Sequence, residues 1–284
     1  MRIALIQNPD SGSGDAESVA SLLAAAGAEV ETFPVGEADA AGRYGADRIV
    51  VAGGDGSIGC AAEAAAAAGL PLAVIATGTA NDFAAHFELP SGVEEACRLA
   101  SGANGTRRVD LARICGRPFV NVAGAGLPPA AAEEASDLKD RLGALAYPAG
   151  AVGAAVSSDP IRVAVEVDGE MLFEGEAWQA SVASSGAFGG GASLEADPAD
   201  GELDVVVIEG GSRARLVKHA FGLRVGQVES QAGVVSARGR EIVMRLDPGE
   251  SLNVDGELVA AGDLDHDGRL TFAADPGGFE LLTD

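Results

Sequence analysis

The chain opens with an apolar run, Ile3-Ala4-Leu5-Ile6, and from there short apolar runs alternate with Ala-rich or amphipathic stretches. The pattern predicts strands at Ile3 to Gln7, Glu29 to Phe33, Asp47 to Ala52 and Leu72 to Ala76, with helices from about Asp15 to Ala26 and Ser57 to Ala68. Strands and helices in alternation imply a parallel sheet covered by helices. From roughly Arg107 the grammar changes. Arg108 to Ile114, Pro118 to Val122, Ile161 to Val167, Glu176 to Ala183, Leu203 to Ile208, Glu241 to Leu246 and Leu270 to Ala273 read as strands. Turns such as Cys115-Gly116 and Asp168-Gly169 then predict hairpins and antiparallel pairing. Helical stretches near Pro129 to Ala146 and Arg213 to Phe221 interrupt them. The fold class expected is α/β: a parallel-sheet domain over residues 1–124 and a mainly β domain over 125–284, with the boundary near Asn121 to Leu127.

Two strand-to-helix turns in the first part carry the chemistry. Gly53-Gly54-Asp55-Gly56-Ser57 follows Ile49-Val50-Val51-Ala52, and Gly78-Thr79-Ala80-Asn81-Asp82-Phe83-Ala84 follows the next strand. Glycines let main-chain N–H groups close on an anion at a helix N-terminus, and the carboxylate among them can orient a metal ion or a hydroxyl. Turns after successive parallel strands meet on one sheet edge, where such sheets bind ligands. A third turn, Asn8-Pro9-Asp10-Ser11-Gly12-Ser13-Gly14, ends the first strand and suits a phosphate or ribose; it lacks the Gly-Lys-Ser/Thr of a Walker A loop.

Composition narrows the reading. Apolar residues make up 47% of 284 and aromatics only 4%, so the core is built from Ala, Val and Leu with close backbone approach. A net charge of −24 argues against nucleic acid as a partner, because that binding rests on basic surface. Cys60, Cys97 and Cys115 have no C-x-x-C spacing and predict reduced thiols. With no signal-like h-region and no apolar run approaching about 18 residues, the expected location is the cytoplasm.

Taken together, Asn-Pro-x-Ser-Gly at Asn8 to Gly12, Gly-Gly-Asp-Gly-Ser at Gly53 to Ser57 and Gly-Thr-x-Asn-Asp-Phe-Ala at Gly78 to Ala84 resemble the diacylglycerol kinase catalytic domain family, with its bacterial lipid kinases and related sphingosine and ceramide kinases. The resemblance extends over essentially the whole chain through Val109-Asp110-Leu111, Phe119-Val120-Asn121, Gly124-Ala125-Gly126, Leu142 to Tyr147, Phe188 to Gly191, Asp200 to Val205 and Asp255-Gly256-Glu257. It implies an ATP-binding α/β domain, a β-sandwich domain that helps receive the lipid, and a cleft between them. By position, Asn8, Pro9, Asp10, Ser11, Gly12, Thr32, Gly53, Gly54, Asp55, Gly56, Ser57, Ile58, Gly59, Thr79, Asn81 and Asp82 would contact ATP. Asp55, Asp82 and Asp110 resemble the acidic network around a catalytic Mg²⁺. Glu257 is the first choice for general base and Asp255 the second. Asp197, Asp200 and Glu202 fall where bacterial members hold a second, structural magnesium. Read by itself, Asp255-Gly256 is a hairpin turn.

The chain departs from the family in several places. Asp15 and Glu17 occupy a stretch that is commonly basic, the nearest cations being Arg43 and Arg48; Gly59 replaces a usual Asn; and the segment 197–202 is short and lacks an Asp-Asp pair. The expected activity is ATP- and Mg²⁺-dependent phosphorylation of a diacylglycerol-like or other long-chain lipid alcohol. Peripheral membrane contact, for instance through Arg213, Arg215, Lys218 and Arg224, and a homodimeric assembly stand beside it as candidates. Two alternatives remain: an NAD kinase-like enzyme, which shares Gly-Gly-Asp-Gly, and a nucleotide-binding regulator with weakened catalysis. Asp263-Leu264-Asp265-His266-Asp267-Gly268 copies half of a calcium loop but has Ala274 where the bidentate Glu belongs, so an acidic turn is expected.

Overall fold

The computed structural model describes residues 1–7, 15–78, 80–102, 105–130, 158–185, 197–212 and 233–283, with backbone alone for 15–18. These fall into two compact units, Met1–Leu111 with Asp275–Asp284, and Ala112–Ala274. The division therefore comes a little before the sequence boundary at residues 121–127, and the last ten residues return to the first unit. Neither feature is written in local periodicity. The first-motif turn, Thr79, and the helical stretches beyond residue 130 and over 213–221 lie outside the described residues, as do the 142–147 and 188–191 motifs.

The first unit contains β1 (Arg2–Gln7), α1 (Asp15–Ala25), β2 (Glu29–Pro34), α2 (Ala38–Arg43), β3 (Arg48–Gly53), α3 (Asp55–Ala68), β4 (Leu72–Ala76), α4 (Asp82–His86) and α5 (Val93–Ser101). β1 pairs in parallel with both β2 and β3, and β3 pairs in parallel with β4, giving the spatial order β2-β1-β3-β4. Chain direction across the sheet thus reverses at β1 and β3, and a parallel sheet binds ligands outside the carboxyl ends of the strands at such a switch point. Both Gly-rich turns predicted from sequence leave those ends. The interior runs Ile3, Leu5, Val50, Ala52, Ala73 and Ile75 against Val19 and Leu23 of α1 and Ala96, Cys97, Leu99 and Ala100 of α5. Ala96, Cys97 and Ala100 give α5 a small-residue face that lets it lie close on the strands.

The second unit is antiparallel. Its strands are β6 (Arg117–Phe119), β7 (Val122–Gly126), β8 (Ile161–Val167), β9 (Glu170–Ala183), β10 (Leu203–Glu209), β11 (Val234–Gly239), β12 (Glu241–Arg245), β13 (Ser251–Val254) and β14 (Glu257–Ala260). β5 (Gly105–Ile114) and β15 (Arg269–Thr283) contribute residues to both units. The first half of β9 pairs with β8 and its second half with β7 and β10, so one strand serves two layers. Alternate residues of β7, β9, β10 and β12 meet Phe119, Leu252, Leu270 and Phe272 in one apolar core. Cys115-Gly116, Asp168-Gly169 and Asp255-Gly256 all have both residues at positive φ, 48° and 86°, 49° and 84°, 48° and 91°. That is the two-residue turn whose twist suits a hairpin, which the residues of all three pairs, read by themselves, predict.

Candidate functional site

Helix α3 begins at Asp55, two residues earlier than the Ala-rich pattern indicates, with Gly54 as an N-cap that offers no side chain to the first-turn amides. Such an end suits an external anion. The turn is crowded from within. A Cβ on Gly53 would stand 2.8 Å from Ser57 Oγ, and one on Gly78 would stand 2.6 Å from Gly54 Cα, so the two turns touch through glycine backbone.

The Asp55 carboxylate fastens the turns together. Its Oδ2 accepts the Asp82 N–H at 3.2 Å and its Oδ1 the Phe83 N–H at 3.0 Å, capping α4 from the neighbouring turn. Asn81, at φ 54°, turns the chain into α4 and donates from Nδ2 to the Gly78 carbonyl at 2.9 Å. Asp82 is half-buried, and burial first, then the charge of Asp55, raises its pKa above the ordinary aspartate value. Two crowded carboxylates at a helix-start cradle suit a divalent cation that retains most of its waters, since Mg²⁺ is usually held by one or two carboxylates plus substrate phosphates. Two buried acceptors, Gln7 Oε1 at the end of β1 and Asn81 Oδ1, have no donor among the described residues. They suit ligand hydroxyls or metal-bound water.

Other predicted residues fall differently. Asp110 is 2% exposed and accepts the Gly277 N–H at 2.6 Å, which ties β5 to β15. Among the described residues no three His, Cys, Asp or Glu side chains stand together as a metal site, so Asp55, Asp82 and Asp110 do not form one cluster. Ile58 is buried in the interior at 1% exposure and Gly59 is buried beside it, whereas Thr32 is exposed on the edge strand β2. Arg48 is committed elsewhere: its Nη1 donates to the Ala100 and Gly102 carbonyls at 2.7 and 3.1 Å, closing the end of α5, and burial lowers its pKa.

In the second unit, Asp255 and Glu257 face opposite fates two residues apart. Asp255 is 8% exposed, and its carboxylate accepts three consecutive main-chain N–H groups, from Val120 at 2.7 Å, Asn121 at 2.9 Å and Val122 at 3.0 Å. This clamp breaks the predicted Pro118 to Val122 strand into β6 and β7 and fixes Asn121. The Asn121 carbonyl accepts the Ser184 N–H at 2.9 Å, and its Oδ1 accepts the Ser185 hydroxyl at 2.9 Å. Sequence reasoning did not single out Ser184 and Ser185; the Phe119-Val120-Asn121 match was the one signal toward them. Glu257 opens the edge strand β14, exposed and paired with Arg117 of β6. Of the two, Glu257 is the exposed carboxylate.

Residues 2–114 match the family model described as the diacylglycerol kinase catalytic domain. Residues 121–281 match the one described as the YegS C-terminal NAD kinase beta sandwich-like domain. The chain belongs to the diacylglycerol kinase-like lipid kinase family. Family membership makes it an enzyme of the lipid kinase class and implies ATP as phosphoryl donor. The diacylglycerol kinase of Bacillus subtilis (strain 168) is 30% identical over 218 residues, 74% of this chain and 71% of that protein. The protein of Pseudomonas syringae pv. tomato named "Probable lipid kinase YegS-like" is 30% identical over 253 residues, 87% of this chain and 78% of that one. A crystal structure of a diacylglycerol kinase from Bacillus anthracis str. Sterne has a TM-score of 0.77 at 22% identity, covering 100% of this chain and 97% of that one. Yeast NADH kinase complexed with NADH has a TM-score of 0.55 at 11% identity, covering 99% and 82%. At these identities the two structures establish shared fold alone. No helix among the described residues is long and apolar enough to cross a membrane.

Proposed function

We propose that the protein is an ATP- and Mg²⁺-dependent kinase that transfers the γ-phosphoryl group to the hydroxyl of diacylglycerol or a similar long-chain lipid alcohol. The observation that supports it most is the Asp55 carboxylate joining the 53–57 and 78–83 turns at the carboxyl edge of the parallel sheet. Asn8, Pro9, Asp10, Ser11 and Gly12, with Thr32, Gly53 to Ser57, Thr79 and Asn81, form the nucleotide side in this reading, while Ile58 and Gly59 pack in the interior behind it. Asp55 and Asp82 would hold the cation, while Asp110 ties β5 to β15 through the Gly277 N–H. Mg²⁺, when bound, offsets charge on the transferring phosphoryl group.

The lipid oxygen forms a bond to the γ-phosphorus as the bond to the β,γ-bridging oxygen breaks, and ADP leaves. Glu257 takes the hydroxyl proton during attack. Asp255 cannot do so without abandoning three N–H bonds; it positions the 120–122 segment instead. With Arg48 engaged, phosphate neutralisation on this side would fall to backbone amides, together with Mg²⁺ when bound. A cytoplasmic enzyme meeting its substrate at a membrane surface fits this scheme.

Purified protein incubated with γ-labelled ATP, Mg²⁺ and a panel of lipid alcohols in mixed vesicles tests the proposal. Label is expected in a lipid, with loss of activity in a chelator and a fall of about 10²-fold or more in Asp55→Asn. Absence of labelled lipid across the panel, with ATP binding intact, would point to a nucleotide-binding regulator and end this reading.

A further inference from the structure

The acidic turn before β10 is where the family implies a divalent cation on Asp197, Asp200 and Glu202, and the donors there do not fit one. Asp197 Oδ1 accepts the Ala199 N–H at 3.1 Å, and Asp200 Oδ1 accepts the Glu202 N–H at 2.9 Å. These are side-chain-to-backbone bonds by which Asp closes a turn unaided. The second oxygen of Asp200 meets a guanidinium. Arg238 Nη1 lies 3.3 Å from Asp200 Oδ2, and Arg238 Nε lies 3.2 Å from Asp204 Oδ1. Among the described residues, no three His, Cys, Asp or Glu side chains are gathered there or elsewhere to hold a metal.

The Arg238 contact is built into the fold. Arg238 on β11 stands directly opposite Asp204 on β10 in the antiparallel ladder, so strand register delivers the guanidinium to the strand carboxylate. Asp204 is only 15% exposed while Arg238 is 39% exposed, so the strand carboxylate is largely covered and the guanidinium lies over it in contact with solvent. The hydrogen bond and charge of Asp204, followed by the charges of Asp200 and Glu202, raise the Arg238 pKa. A rigid planar fork that reaches a carboxylate of the turn with one nitrogen and a carboxylate of the strand with another performs the two tasks of a hard structural cation. It cancels acid–acid repulsion and ties two chain segments together.

We propose that the Arg238 guanidinium takes the place of a structural metal ion in this chain, holding the 197–202 turn to β10 without a divalent cation. The second unit then keeps its fold whatever the Mg²⁺ supply, and any Mg²⁺ requirement of the enzyme belongs to phosphoryl transfer alone.

Thermal unfolding of the full chain in EDTA and in about 5 mM Mg²⁺ tests this without reference to turnover. Wild type and Asp200→Asn are expected to show the same Mg²⁺-induced shift, since no metal uses Asp200. Arg238→Gln is expected to melt about 2–4 °C below wild type in EDTA, with Arg238→Lys between them because a point charge cannot span both carboxylates. A Mg²⁺ shift in wild type that shrinks in Asp200→Asn overturns the proposal, and this comparison holds even if Arg238→Gln fails to fold. Wild-type melting of Arg238→Gln in EDTA overturns it equally.

Discussion

Two carboxylates separated by one glycine, Asp255 and Glu257, show how far residue type is from residue role. The first is sealed behind three amide donors, while the second is exposed on an edge strand against Arg117. A base must reach the proton it removes, so Glu257→Gln is expected to lower kcat about 10²–10⁴-fold. Its melting temperature should stay within about 2 °C of wild type, because an exposed ion pair contributes only about 0–1 kcal/mol. Kinase assays and thermal melts on the same preparation check both. Glu250 provides a different residue-scale test: burial and the neighbouring charge of Asp247 raise its pKa above the ordinary glutamate value. The folded protein therefore binds that proton more tightly than the unfolded chain, and stability falls as pH rises from the unfolded to the folded value. Glu250→Gln is expected to be more stable than wild type at neutral pH, with the advantage disappearing as pH drops below both values. Urea titrations across the acid range measure it.

At the scale of elements, carboxylates here join segments that the chain keeps apart. Asp55 caps α4 from the start of α3, Asp110 holds β15, and Asp255 divides β6 from β7 while closing its own hairpin. Removing the Asp255 carboxylate leaves three amides without their acceptor in a buried place. Asp255→Ala is expected to cost about 3–5 kcal/mol in a urea unfolding experiment, well beyond what Glu257→Gln costs. Local pattern showed that Asp255-Gly256 forms a turn, since an Xaa-Gly pair at positive φ is a property of neighbouring residues. It did not show the clamp, whose acceptor and donors are more than a hundred positions apart. The predicted Pro118 to Val122 strand divides for that reason, and β13 and β14, only four residues each, carry too little periodicity to be read alone.

For the whole molecule, charge is the dominant fact. A net charge of −24 repels an anionic bilayer unless salt screens it. On vesicles rich in anionic lipid, turnover is therefore expected to rise as ionic strength increases from about 0.01 M to about 0.15 M, and on neutral vesicles to change little. Flotation of labelled protein with vesicles at those salt concentrations separates binding from chemistry. A fall in activity with salt on anionic vesicles would show instead that a local basic surface governs the encounter.

Alternating apolar runs, Gly-rich turns and Xaa-Gly pairs determined by themselves that a parallel α/β unit precedes an antiparallel one and that two phosphate-type turns leave the same sheet edge. Each of these depends on steric and solvation preferences of residues close in sequence. Tertiary structure alone decided which acids are accessible, which are consumed by backbone amides, and that Arg238 sits on Asp200 and Asp204. The same carboxylate is a ligand, a base or a clamp according to the donors that distant segments bring to it, and burial sets the cost of leaving those donors unmet.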